Sequence, residues 1–184
     1  MRIVGGRWRG RRLLAPPGTA TRPTAERLRQ TLFDMLLHAK WSGGDAVQGA
    51  RVLDAFAGTG ALGLEALSRG AAAARFFECD QAALAALRAN IAHCNAEDVA
   101  LVAGGDATRP PRGEPCSLVF LDPPYRQSLA EAALAALRRA GWVAPGALVV
   151  CESARDETPE FPGATLLAER HTAAALLSVW RLPG

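Results

Sequence analysis

The sequence predicts an α/β protein built on one doubly wound, mostly parallel sheet of seven strands with an antiparallel end. Three observations predict it. Short apolar runs alternate with helical patterns along most of the chain, the signature of a parallel sheet with crossover helices. A Gly-x-Gly-x-x-Gly loop, Gly58-Thr59-Gly60-Ala61-Leu62-Gly63, separates the first apolar run from a helix. A later run, Leu118 to Leu121, stops at Asp122-Pro123-Pro124-Tyr125. Two prolines lack backbone N–H groups and have fixed φ, so they make a stiff corner where the strand ends.

The chain has 184 residues, 49% of them hydrophobic. That suffices for one domain with a substantial core and argues against disorder. Apolar runs are far shorter than a membrane span. The start, Met1-Arg2-Ile3-Val4-Gly5-Gly6-Arg7, has no apolar leader core, so a cytoplasmic protein without membrane association is expected. Monomer is the default for this size. Cys79, Cys94, Cys116 and Cys151 are scattered, with neither metal-ligand spacing nor a disulfide framework, so reduced thiols and no metal site are expected. The net charge of +3 is modest, but Arg2, Arg7, Arg9, Arg11 and Arg12 crowd the first dozen residues around Trp8. Guanidinium groups bind phosphates and an indole can stack on a base. Residues 1–22, including Arg22, are therefore expected to be a basic arm for nucleic acid, with Arg2-Ile3-Val4 and Arg12-Leu13-Leu14 paired as a short hairpin. Residues 23–184 form the main domain.

In that domain, Thr24 is a candidate N-cap for a helix whose Leu28, Leu32, Met35 and Leu36 share one face. Arg51–Ala55 is the first strand, and the helix after the glycine loop runs through Arg69. Arg75–Glu78 is the second strand, and Asp80 is placed to cap the helix carrying Leu84, Leu87 and Ile91. Val99–Ala103 is the third strand and 117–121 the fourth. Ser128-x-x-Glu131 reads as a capping box. Ala147–Glu152, after Pro145-Gly146, is the fifth strand. Two apolar segments, 164–170 and 174–181, are expected at the antiparallel end.

The glycine loop alone suits NAD as well as S-adenosylmethionine. Asp54, four residues before Gly58, favours the second: a carboxylate there attracts an ammonium and a sulfonium but repels a pyrophosphate. Glu78, 20 residues after Gly58, stands where an acidic residue hydrogen-bonds ribose hydroxyls. His38, His93 and His171 are isolated, and neither a catalytic histidine nor a Tyr-x-x-x-Lys pattern is visible. An NAD-binding dehydrogenase-like protein remains the alternative from another class.

Asp54-Ala-Phe-Ala-Gly-Thr-Gly60, Glu78, Asp106 and Asp122-Pro-Pro-Tyr125 together resemble the class I S-adenosylmethionine-dependent methyltransferases of Rossmann-like fold that modify amino groups. Gly5-Gly6-Arg7-Trp8-Arg9-Gly10, Arg22-Pro23-Thr24 and Leu62-Gly63-Leu64-Glu65-Ala66-Leu67-Ser68-Arg69-Gly70 narrow the resemblance to the RsmD family, the 16S rRNA guanine-N2 methyltransferases. It covers nearly the whole chain, with no motif after residue 153. The resemblance implies that Asp54, Phe56, Ala57, Gly58 and Gly60 hold the methionine part of the cofactor and that Glu78 takes the ribose. It implies that Asp106 reads the adenine, beside which Cys79 is placed by position. Asp122, Pro123, Pro124 and Tyr125 would hold the target base. The implied partner is 16S rRNA, in an assembled or assembling small ribosomal subunit. A DNA adenine-N6 methyltransferase is the alternative enzyme, because Asp-Pro-Pro-Tyr serves any exocyclic amine; no added duplex-reading domain supports it. A glutamine-N5 protein methyltransferase and a non-catalytic RNA-binding relative are further alternatives.

Overall fold

The computed structural model describes residues 1–16, 23–42, 44–125, 127–172 and 175–184, the side chains of residues 23–25 excepted. Five strands with few polar positions build the parallel part of the sheet: β1 (Arg51–Asp54), β2 (Ala73–Phe76), β3 (Ala100–Val102), β4 (Cys116–Leu121) and β5 (Val143–Ala154). Alternate residues serve opposite faces. Val52, Leu118, Phe120 and Val150 join one apolar cluster, whereas Leu53, Val119, Leu121 and Val149 join another. Strands buried on both faces need helices on both. α1 (Pro23–His38), α2 (Ala61–Ser68) and α3 (Gln81–His93) cover the first face; α4 (Leu129–Arg139) covers the second. With β6 (Thr165–His171) and β7 (Ala175–Arg181), the strand order is β3-β2-β1-β4-β5-β7-β6. β7 is antiparallel to both its neighbours and enters between β5 and β6, so the antiparallel strand stands one place inside the edge.

Several boundaries differ from the sequence expectation. β2 starts and ends two residues early, because Arg51 to Asp54 take Ala73 to Phe76 as their ladder partners. Phe77 and Glu78 lie beyond the paired strand and serve the glycine loop. β5 begins before Pro145-Gly146, and the pair forms an irregularity against β4 between the Cys116 and Leu118 partners. α1 begins at Pro23, so Thr24 lies within its first turn instead of capping it. Asp80 caps α3 as expected, accepting from Ala83 N at 2.8 Å. Ser128 precedes α4 in a left-handed conformation (φ 48°) with no side-chain cap, and Glu131 accepts from Glu160 N at 3.3 Å. The capping box therefore does not form.

The N-terminal arm packs into the main core. Its hairpin is a single Arg2–Arg12 bridge enclosing a 3₁₀ turn at Gly6–Trp8. Ile3, Trp8 and Leu13 are buried in the cluster beneath α1 and α2. Glu65 on α2 is wholly buried and accepts from Val4 N and Gly5 N, each at 2.8 Å, while pairing with Arg69 at 2.7 Å and Arg29 at 3.5 Å. Such a buried carboxylate is tolerable because donors saturate it. Gly6 (φ 72°) lies against the Ser68 backbone, where a Cβ would collide. Asn90 ties the arm to α3 and the glycine loop, bonding Leu14 through both its amide atoms and donating to Thr59 O at 2.9 Å.

Candidate active site

Helices on opposite faces follow β1 and β4, so the chain diverges between these two strands and leaves a crevice at their carboxyl ends, the usual ligand position in an open α/β sheet. Strand register decides what lines it. Asp54 stands opposite Phe120, and Leu121 opposite Cys151. One residue further, Asp122 and Glu152 leave adjacent strands on the face of Phe120 and Val150. A cavity of about 490 Å³ opens there, lined by Asp54, Phe56, Ala57, Gly58, Asp122 and Tyr125 of the expected residues. Glu152, Arg29 and Met1 line it as well.

One cavity carboxylate is under-satisfied. Asp54 is 1% exposed; its Oδ2 accepts from Gly63 N at 3.0 Å, while Oδ1 has no partner among the described residues. Burial, with a smaller push from the Glu78 charge, raises its pKa to about 7. Asp122 lines the cavity and is exposed. The surrounding protein, then the Glu152 and Asp54 charges, hold its carboxyl well above the ordinary range. Pro123 is buried, whereas Pro124 and Tyr125 are exposed. The Tyr125 hydroxyl donates to Glu152 Oε1 at 2.6 Å, and burial together with that bond pushes its pKa up. Tyr125 and Glu152 also wall a second cavity of about 110 Å³ between the Pro123-Pro124 corner and residues 157–159.

The glycine loop is braced from below. Gly60 (φ 82°) turns it into α2, and Gly63 packs so closely on β2 that a Cβ would collide with the Phe76 ring. Glu78 accepts from Gly58 N at 2.7 Å, Cys79 N at 2.8 Å and Asp80 N at 2.7 Å. Asp106 accepts from Thr108 N at 2.8 Å and Thr108 Oγ1 at 2.7 Å, bonds that hold its pKa below the ordinary value. Glu78, exposed Cys79 and Asp106 gather around the ends of β2 and β3, beside but outside the large cavity; Gly105 N donates to Glu78 O at 3.2 Å.

Of the expected RNA-binding residues, Arg2 pairs with Glu26 at 3.0 Å, and Arg11 bonds the His93 carbonyl. Arg7 lies over the Trp8 ring, 4.2 Å from its centroid. Arg9 and Arg12 are exposed and unpaired among the described residues. Trp8 corrects the expectation of an indole offered to a base: only 9% exposed, with its backbone N–H on Ser68 Oγ at 2.9 Å, it anchors the arm. Arg22 lies outside the described residues.

Sequence reasoning missed Glu152, Arg29 and Met1. A signal for Glu152 was present, since an acidic residue ends each of three apolar runs, at Asp54, Asp122 and Glu152. Arg29 carried none, reading as one more charge on an amphipathic helix. It is 5% exposed, and its guanidinium is held by Glu65 and the Arg2 carbonyl while bordering the cavity.

The family model described as conserved hypothetical protein 95 matches residues 1–181. Over 154 residues, 83% of this chain and 74% of the relative, the sequence is 42% identical to ribosomal RNA small subunit methyltransferase D of Escherichia coli K12. The chain belongs to the RsmD family of methyltransferases. Another member, ribosomal RNA small subunit methyltransferase D of Haemophilus influenzae, is 36% identical over 94% of this chain and 89% of its own. The solved structure of yhhF from Escherichia coli, described as a candidate methyltransferase, superposes with a TM-score of 0.86 at 38% identity, covering 100% of this chain and 98% of that one. Membership sets aside the dehydrogenase-like alternative. The cofactor of RsmD-family proteins is S-adenosylmethionine. The cavity fits it: Asp54 presents a buried, unpartnered acceptor to a ligand that carries an ammonium group.

Proposed function

We propose that this protein transfers the methyl group of S-adenosylmethionine to the exocyclic N2 amine of a guanine in 16S rRNA, within an assembled or assembling small ribosomal subunit. One observation carries the reading: Asp122 and Tyr125, the two ends of the Asp122-Pro123-Pro124-Tyr125 corner, line the same cavity as Asp54 and the glycine loop. A target amine and a methyl donor would therefore meet there. The names of the relatives, ribosomal RNA small subunit methyltransferases, supply the substrate class.

When bound, the cofactor supplies an electrophilic methyl group on a positively charged sulfur. Asp54 and the Phe56–Gly60 loop would hold its methionine part. Glu78 would exchange backbone partners for ribose hydroxyls, and Asp106 would face the adenine with Cys79 nearby. The guanine N2 lone pair is delocalised into the ring, so alignment matters more than a strong base. Asp122 and the Pro123 carbonyl accept hydrogen bonds from the amine's two hydrogens, drawing the nitrogen towards pyramidal geometry and stabilising the charge that develops on it. Tyr125, its hydroxyl held by Glu152, offers its ring to the displaced base. Such stacking is worth about 1–3 kcal/mol, against a few kcal/mol for unstacking. A base already splayed from an RNA loop costs less. Arg9 and Arg12 are the arm charges open to phosphate.

The test is methyl transfer from labelled S-adenosylmethionine to unmodified small subunits, protein-free 16S rRNA and duplex DNA, compared side by side. N2-methylguanosine in subunit RNA, with weaker labelling of free RNA, is expected. Label in DNA adenine would replace this reading, and equal labelling of free and assembled rRNA would remove the subunit requirement.

A further inference from the structure

We propose that Glu152 reads the ring N1–H of the target guanine, beside the amine held by Asp122, and so makes the site specific for guanine; this rests on the guanine-N2 reading above.

The register of β4 and β5 makes Asp122 and Glu152 neighbours at one cavity wall. Adjacent strands lie about 4.8 Å apart, so two carboxylates share a small space. Asp122 feels the Glu152 charge directly. Like charges are disfavoured there unless a ligand brings donors. The guanidinium on the same cavity, Arg29, is already engaged by Glu65 and the Arg2 carbonyl. Tyr125 fixes Glu152 by bonding Oε1, and no donor among the described residues reaches Oε2. Asp54, with its unpartnered Oδ1, lies on the cofactor side of the cavity beside the glycine loop. That leaves Asp122 and Glu152 as a pair of acceptors facing the base.

Base chemistry says which base suits such a pair. Adenine, cytosine and guanine each carry an exocyclic amine. In adenine and cytosine the neighbouring ring nitrogen is an acceptor, and a carboxylate facing it sets lone pair against lone pair. In guanine one of the two ring nitrogens beside the amine, N1, bears a hydrogen. Two adjacent acceptors therefore match the N1–H and N2 amine of guanine and reject the other two amines. Polar groups built to pair with a ligand discriminate strongly when a pairing partner is missing. Glu152 is on this account a specificity residue, and Tyr125 positions it.

The experiment uses small subunits whose RNA carries either guanine or 2,6-diaminopurine at the methylated position. Diaminopurine keeps the N2 amine but has an acceptor at N1. Wild-type protein is expected to prefer guanine by about tenfold or more in kcat/KM. Glu152→Gln can turn an amide N–H towards the acceptor, and is expected to bring the preference to within about threefold while S-adenosylhomocysteine affinity holds. Tyr125→Phe, which frees Glu152, is expected to narrow the preference less, and it keeps the test open if Glu152→Gln folds poorly. An unchanged preference in both variants overturns the role of Glu152, as does a wild-type protein indifferent to the two bases. Wild-type protein that places no methyl on the guanine amine overturns the parent reading instead, so the two failures are distinguishable.

Discussion

Two acidic groups stand at the carboxyl end of the sheet, and they are in opposite states. Beside β2 and β3, Glu78 accepts from three backbone N–H groups and Asp106 from a backbone N–H and a hydroxyl, and the Asp106 carboxyl is held below its ordinary value. At the ends of β1, β4 and β5, Asp54, Asp122 and Glu152 face one cavity with few donors; Asp54 is pushed up to about 7 and Asp122 is raised with it. The first group braces the loops that shape the site. In the second, Asp54 Oδ1 has no partner among the described residues, and the proposed ligands, which bring positive charge and N–H groups, would satisfy it. The same residue types thus brace loops on one side and, in the proposed function, face the reacting groups on the other, and the backbone donors within reach make the difference.

The largest effect that would sharpen this contrast is on methyl transfer. Asp122→Ala should lower the single-turnover rate by about a hundredfold to a thousandfold, the usual loss when a stabilising group aimed at developing charge is removed. S-adenosylhomocysteine binding, followed by calorimetry, should stay within a few-fold. Lost binding in a folded variant would make Asp122 part of the cofactor site instead.

Stability should respond the other way round. Glu78→Ala leaves three backbone N–H groups without their acceptor and should cost about 2 kcal/mol in urea unfolding, besides weakening cofactor binding. Glu152→Ala removes a crowded charge and should change stability by less than about 0.5 kcal/mol. Equal losses would erase the structural difference between the two groups.

A smaller effect separates arm from cavity. Arg9→Ala combined with Arg12→Ala should flatten the salt dependence of RNA binding by roughly 0.7 in log–log slope for each phosphate no longer neutralised, with cofactor affinity unchanged. Deleting residues 1–14 cannot give that answer. It strips Ile3, Trp8 and Leu13 from the core and leaves buried Glu65 and Asn90 without their arm partners.

Much of the fold was legible because period and punctuation agree. Each strand and main helix of the sequence expectation lies within a few residues of its place in the structure, and the glycine loop and the Asp122 corner mark where the crevice lies. Features that depend on distant partners were not legible. Nothing local tells Trp8 on a surface from Trp8 in a core; the fold decides by bringing Ser68 to its backbone N–H. Ser128-x-x-Glu131 has the form of a capping box, but Glu131 finds Glu160, 29 residues away. Arg29 and Glu152 became site residues only once strand register and the arm's return across α1 were known. The insertion of β7 between β5 and β6 is likewise a pairing choice that alternation alone leaves open.

The charge state of Asp54 tests the comparison at its centre. With its pKa raised to about 7 in the folded protein, Asp54 favours folding in its protonated form. That stabilisation is full below the ordinary carboxylate range and is lost as pH rises through about 7. A bound ammonium reverses the preference and expels the proton. S-adenosylhomocysteine should therefore bind about tenfold more tightly near pH 8 than near pH 6, with proton release at neutral pH, and Asp54→Asn should remove this pH dependence. Equal affinity at the two pH values, or an unchanged pH dependence in Asp54→Asn, would contradict the account.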